Sequence, residues 1–193
     1  ANPADFTFFF VGNIDPNDKN FQMQVRTWLG GLKTNKKRET ASDDKVRVAL
    51  GNQKNYFTRE METKTASNRI QYTSYDMPYN LANDLNMEMI GRILSTRYLE
   101  SIREREGGSY GVGCAGRMNR RPVAYAQLIM QFDTDPEKQQ KLMGIIHEEV
   151  MTIVENGPLD KDLQKEKESM LKDFEEDLEK NSFWNTILNE YYN

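Results

Sequence analysis

Cysteine and histidine each occur only once in these 193 residues, as Cys114 and His147. A single cysteine excludes an internal disulfide and any thiolate-based zinc cage. A single histidine, with one thiol beside it, cannot build a hydrolytic zinc centre, which needs at least two imidazoles or thiolates and a carboxylate in reach of the metal-bound water. Long apolar runs are also missing. The longest, around Phe8 to Val11 and Leu128 to Met130, are strand-sized, far short of the roughly 20 residues of a membrane-spanning helix. Nor is there a strong charge of one sign. Lys and Arg total 26 against 30 Asp and Glu, a net charge of −4, whereas nucleic-acid binding calls for a basic face. The one basic cluster, Lys33, Lys36, Lys37 and Arg38, is interrupted by Thr34 and Asn35 and reads as a solvated loop. The chain opens Ala1-Asn2-Pro3-Ala4-Asp5 with no signal-peptide pattern and passes almost directly into an apolar segment. The expectation is one domain over residues 1–193, cut from a longer chain.

What is present suits a packed core under a well-solvated surface: 37% hydrophobic and 29% charged residues. Phe6 to Val11 is aromatic, uncharged and short, and predicts a fully buried central strand. Asn17 or Asp18 can cap a helix carrying Phe21, Val25, Trp28, Leu29 and Leu32 on one face, which Gly30-Gly31 ends. Further strands are expected over Lys45 to Leu50, with Val46, Val48 and Leu50 inward, over Tyr56 to Met61, and over Asn68 to Asp76. Asn80 to Arg105 predicts the longest helix, with an apolar stripe from Leu81 through Leu94 and Tyr98 to Ile102 and a stop at Gly107-Gly108. Ser109 to Gly116 and Val123 to Asp133 read as a hairpin. Three helices follow: one opened by Asp135-Pro136, a charged one over Leu159 to Lys180, and a last one capped by Asn181 or Ser182. The order β-α-β-β-β-α-β-β-α-α-α predicts an α+β fold, a mostly antiparallel sheet covered on one side by long helices.

Within this frame nucleophilic chemistry finds little support. Cys114 lies between Gly113 and Ala115 with no neighbour to lower its pKa, and reads as a small core residue. His147-Glu148-Glu149 superficially resembles a metalloprotease run, but Met151 occupies the position where the second histidine is needed. The glycines of Gly107-Gly108-Ser109-Tyr110-Gly111 follow a helix rather than open one, so the helix dipole there has the wrong sign for a phosphate.

The segment Arg97-Tyr98-Leu99-Glu100-Ser101-Ile102-Arg103-Glu104-Arg105-Glu106-Gly107-Gly108-Ser109-Tyr110-Gly111-Val112 resembles the Leu-Arg-Glu-x-x-Gly-x-x-Tyr-x-Val signature of the pitrilysin and insulin-degrading enzyme family of zinc peptidases. Other landmarks follow the same family in order: Phe8 to Asp15 at the entry of its C-terminal peptidase domain, Phe132 to Glu137, Asn156-Gly157-Pro158-Leu159, and Asn181 to Trp184, which is similar to the bacterial two-half enzymes. The family's zinc motif, an inverted His-x-x-Glu-His, belongs to the N-terminal half. The resemblance therefore implies a C-terminal half-domain with no catalytic residue, metal or cofactor of its own, the zinc lying in the N-terminal half. Its partners would be that catalytic half and a peptide substrate, with no nucleic acid and no membrane span, in a bacterial periplasm or cytoplasm. The resemblance assigns Arg103 to substrate backbone near the scissile bond and Tyr110 to the developing oxyanion. On the residues alone, Arg103 can equally be a helix-end cation and Tyr110 a strand aromatic. A non-catalytic scaffold or assembly subunit of the same fold is the alternative function, and a stand-alone peptide binder using a sheet edge is a third.

Overall fold

A computed structural model describes residues 2–40, 42–105 and 111–192, with residues 103–105 described by backbone alone. Two compact units pack separately: Ala1–Asp44 with Met170–Asn193, and Lys45–Ser169. Among the described residues the regular elements are α1 (Lys19–Trp28), β1 (Ala66–Ser74), α2 (Leu81–Tyr98), a π-helical stretch (Leu99–Arg105), β2 (Val112–Asn119), β3 (Tyr125–Thr134), α3 (Gln139–Asn156), α4 (Asp160–Asp177) and α5 (Asn181–Tyr192). The division between the units falls within α4.

In the unit Lys45–Ser169 the sheet has the order β1-β3-β2, antiparallel throughout. Ile70 and Cys114 both stand opposite Met130, and Asn68 and Val112 both stand opposite Phe132. Alternate residues therefore share a face. Leu128, Met130 and Phe132 of β3 join Leu94 and Tyr98 of α2, Ile102, and Leu142 and Ile146 of α3 in one buried cluster. Each fully buried aliphatic side chain here contributes about 1.5–3 kcal/mol. The other face carries Arg69, Gln131 and Gly113 in register, all exposed. The fold is α+β with helices on one side of an antiparallel sheet, as the order of elements predicts.

Helix α2 starts where Asn80 accepts the Asn83 N–H at 2.8 Å. It lies so close to β2 that a Cβ on Gly116 would overlap the Met87 carbonyl oxygen, and one on Gly91 the Gly116 amide nitrogen. Along this contact the Ser95 hydroxyl accepts the Cys114 N–H at 2.9 Å and donates to the Cys114 carbonyl at 2.8 Å. Asp84 accepts the Met118 N–H at 3.1 Å. Side chains of α2 thus satisfy backbone groups that β2 does not pair with β3.

The unit Ala1–Asp44 with Met170–Asn193 is held by polar contacts of the Asn2 side chain with Asn35 (2.9 Å) and the Lys37 carbonyl (2.6 Å). Ring contacts join Phe10 to Phe21 and Phe9 to Tyr192. Asp18 caps α1 by accepting the Asn20 N–H at 2.9 Å.

Three expected strands are not formed among the described residues. Phe6 to Val11 joins no ladder among the described residues, and Phe6, Phe8 and Phe10 are 45–48% exposed, so this is not a buried central strand. Lys45 to Leu50 and Tyr56 to Met61 also run without a ladder, and Val46, Leu50, Tyr56 and Phe57 are 60–88% exposed rather than inward. Alternation and aromatic content fit an extended backbone, but a strand exists only where a neighbouring backbone accepts its hydrogen bonds. The stripe of α2 is narrower than expected, with Leu81 and Leu85 exposed. On α4 and just beyond it, the apolar Leu171, Phe174 and Leu178 are 40–65% exposed. Asp135-Pro136 forms a turn ahead of α3 rather than its first residues.

Candidate functional site

The signature segment begins on the last turn of α2 and ends in β2. Its first part is anchored on every side. Tyr98 is fully buried and its hydroxyl donates to the Ile146 carbonyl at 3.1 Å. The Arg97 guanidinium closes on Glu149 of α3, with Nε and a terminal nitrogen each 2.6 Å from Oε2, and a second terminal nitrogen lies 3.9 Å from Asp162 of α4. Thr96 donates to Glu166 of α4 at 3.3 Å. Thr96, Arg97, Glu149 and Asp162, with Glu100, Ser101 and Lys161, line a cleft of about 180 Å3. The Ser101 hydroxyl donates to the Arg97 carbonyl at 2.9 Å, and Ile102 is fully buried.

Beyond Ile102 the two site residues named by the family signature part company with the described structure. Arg103 is placed by its backbone, in the π-helical stretch. Tyr110 lies outside the described residues, as does the Gly107-Gly108 stop. The chain returns at Gly111 and enters β2, where Val112 pairs with Phe132. At that end of the sheet Gly111, Ser67, Arg69, Gln131 and Asp133 border an open depression of about 360 Å3. Its wall is tied down by Asn68, whose amide donates to the Ala66 carbonyl (2.9 Å) and to the Phe132 carbonyl (3.4 Å) and accepts from Gln139 at 2.5 Å.

Burial pushes the Cys114 thiol up from 9.0 to about 12, so it stays protonated and unreactive at neutral pH. Burial likewise drives the Tyr98 phenol far above its ordinary value. His147 lies on the surface of α3 with Nδ1 2.8 Å from the Tyr72 hydroxyl, the two rings stacked. No hydrogen bond joins Cys114 to His147 among the described residues. The donor set does not fit a resident zinc: no group of three His, Cys, Asp or Glu side chains is placed to hold a metal ion among the described residues. Among the same residues no helix is long and apolar enough to cross a membrane.

The cluster of Arg97 with Glu149, Asp162 and Glu166 is not visible in the sequence reading. Arg97 is one of many charged residues on the chain, and nothing local marks it as the centre of a cluster. Glu166, 8% exposed, sits in a helix so charged that nothing marks one carboxylate as inward.

Residues 2–170 match the family model described as the Peptidase M16 inactive domain. No curated protein matches the chain. Among solved structures it is similar to the periplasmic protease PqqL from Escherichia coli, at 17% identity and a TM-score of 0.71, over 92% of this chain and 19% of that one. At that identity the likeness carries the fold alone, and the chain spans less than a fifth of that protein's length. The match along most of the chain agrees with the pitrilysin-type landmarks: this chain belongs to the peptidase M16 family, as its inactive domain.

Proposed function

We propose that the chain is the accessory, substrate-chamber domain of a zinc-dependent peptidase. It works with a catalytic half that carries the zinc and the general base. The supporting observation is membership of the M16 inactive-domain family over residues 2–170 in a chain with one histidine and one cysteine. The chemistry this chain contributes is hydrogen-bond donation. Arg103 binds the substrate backbone beside the scissile bond, and the Tyr110 phenol donates to the carbonyl oxygen as it gains negative charge. A guanidinium and a phenol are both pure donors towards such an oxygen, and they stabilise it most where water is excluded.

The test uses the intact peptidase, this domain together with its catalytic half. Arg103→Ala and Tyr110→Phe, made separately, are expected to lower kcat/KM by about 10²- to 10³-fold each, the usual loss for one oxyanion donor. Wild-type turnover in both variants removes the assignment. Reading the parent gene upstream for His-x-x-Glu-His tests the broader statement. Its absence replaces a peptidase with an assembly subunit of the same fold.

A further inference from the structure

We propose that the segment from Lys45 to Thr65 is an arm by which this domain docks on its catalytic half, with Tyr56 and Phe57 as the anchors. This rests on the accessory role given above. Every residue from Lys45 to Thr65 except Arg47 is exposed, and from Asn52 to Met61 the chain forms no helix, strand or turn. Connections of that length without structure of their own are uncommon in compact domains, and are usually functional or disordered. Disordered segments are poor in aromatic residues. This one carries Tyr56 and Phe57 side by side, 82% and 88% exposed, with Leu50 and Met61 exposed before and after them. The arm is held at both ends. Near its start the Val48 N–H donates to the Tyr75 hydroxyl at 2.9 Å, and Tyr75 packs on Tyr125 of β3 with ring centroids 5.5 Å apart. At its end it runs into β1 at Ala66.

Composition and charge point to the occupant. Tyr, Phe, Met and Arg are the residue types enriched in protein interfaces, and here they stand together as Tyr56, Phe57, Arg59 and Met61. Each aromatic removes roughly 150–250 Å2 from water when it is covered, and adjacent aromatic anchors carry much of the energy of an interface. From Lys45 to Thr65 there are five Lys and Arg against two Glu, in a chain whose net charge is −4. The complementary surface is therefore an apolar pocket with an acidic rim. A second copy of the arm is disfavoured, because two basic arms repel. A lipid surface is disfavoured too, since Glu60 and Glu62 flank Met61 and would be driven against lipid phosphates. The domain is an inactive one of its family and spans 19% of the PqqL chain. The protein body left for it to seat on is the half that holds the zinc.

The experiment replaces Phe57 by a photo-cross-linking phenylalanine in the intact peptidase, this domain together with its catalytic half, and identifies the joined peptide by mass spectrometry. The expected product links position 57 to the zinc-bearing half. The double variant Tyr56→Ser/Phe57→Ser is made alongside, and its thermal melting is recorded. It changes only exposed side chains, so cooperative melting is expected to persist. Its kcat/KM is expected to fall by about 10-fold or more, the loss that truncating interface anchors gives. If the wild-type peptidase has no chelator-sensitive turnover, the accessory role fails and this inference fails with it. This inference alone fails if turnover is present but the cross-link stays within this domain, joins two copies of it, or forms with nothing. It fails likewise if the double variant keeps wild-type turnover or no longer melts cooperatively.

Discussion

Two residues of the M16 domain are set by closeness rather than by chemistry, and both can be measured. Gly116 faces the Met87 carbonyl with no room for a Cβ. Gly116→Ala must push α2 off β2, and the expected loss is about 3 kcal/mol, the upper range for overpacking. Urea unfolding with an unchanged slope reads it. Gly144 is the control: a Cβ there meets nothing within 4 Å, so Gly144→Ala on α3 should be neutral or stabilise by roughly 0.5–1 kcal/mol. Cys114 makes the second case. Its folded pKa is raised from 9.0 to about 12, so above the unfolded value the unfolded state loses a proton that the native state keeps. Stability from this group is therefore complete below pH 9 and falls as pH rises towards about 12. The Tyr98 phenol is raised by burial too and adds to the same alkaline loss. Cys114→Ala should flatten the fall between those limits, and only part of it should remain, through Tyr98. Equal slopes for the variant and the parent would show that the thiol is not held neutral by the fold. Native Cys114 should also resist alkylation at neutral pH until the protein is unfolded.

At the scale of elements, α2 organises the sheet unit. Its small residue Gly91, its carboxylate Asp84 and its hydroxyl Ser95 are each local features, but together they hold β2 by its backbone. The helix and the hairpin were legible because their signals are periodic: buried Leu94, Tyr98 and Ile102 on one face, and alternating Leu128, Met130 and Phe132 on β3. The same period failed over Lys45 to Leu50, where Val46 and Leu50 alternate as in a strand yet stand in solvent. Periodicity states which side chains would share a face. It does not state whether a second backbone is available to bond the first. The switch at Leu99 from α to π was equally beyond the pattern.

For the whole molecule the limiting fact is the donor inventory. One imidazole and one half-buried thiol are too few soft donors for a zinc site of the usual kind. The isolated chain supplied with zinc and a peptide substrate is expected to give no chelator-sensitive hydrolysis, whereas the joined halves should cleave it. Turnover by the isolated chain that a chelator removes would overturn the accessory role proposed above. Family membership was legible from motif order alone, since the landmarks around Phe8, Arg97, Phe132 and Asn156 fall in the family's sequence. By itself the sequence determined the α+β class, the long helix, the hairpin and the supply of a single histidine and a single cysteine, because periodicity and composition are local properties that need no neighbour. Only the tertiary structure decided that Arg97 is bound by Glu149 and Asp162, that Glu166 is buried, and that three strand-like segments join no sheet among the described residues. Those outcomes depend on which groups distant in the chain meet, and a backbone hydrogen bond or an ion pair is made only by two partners in contact.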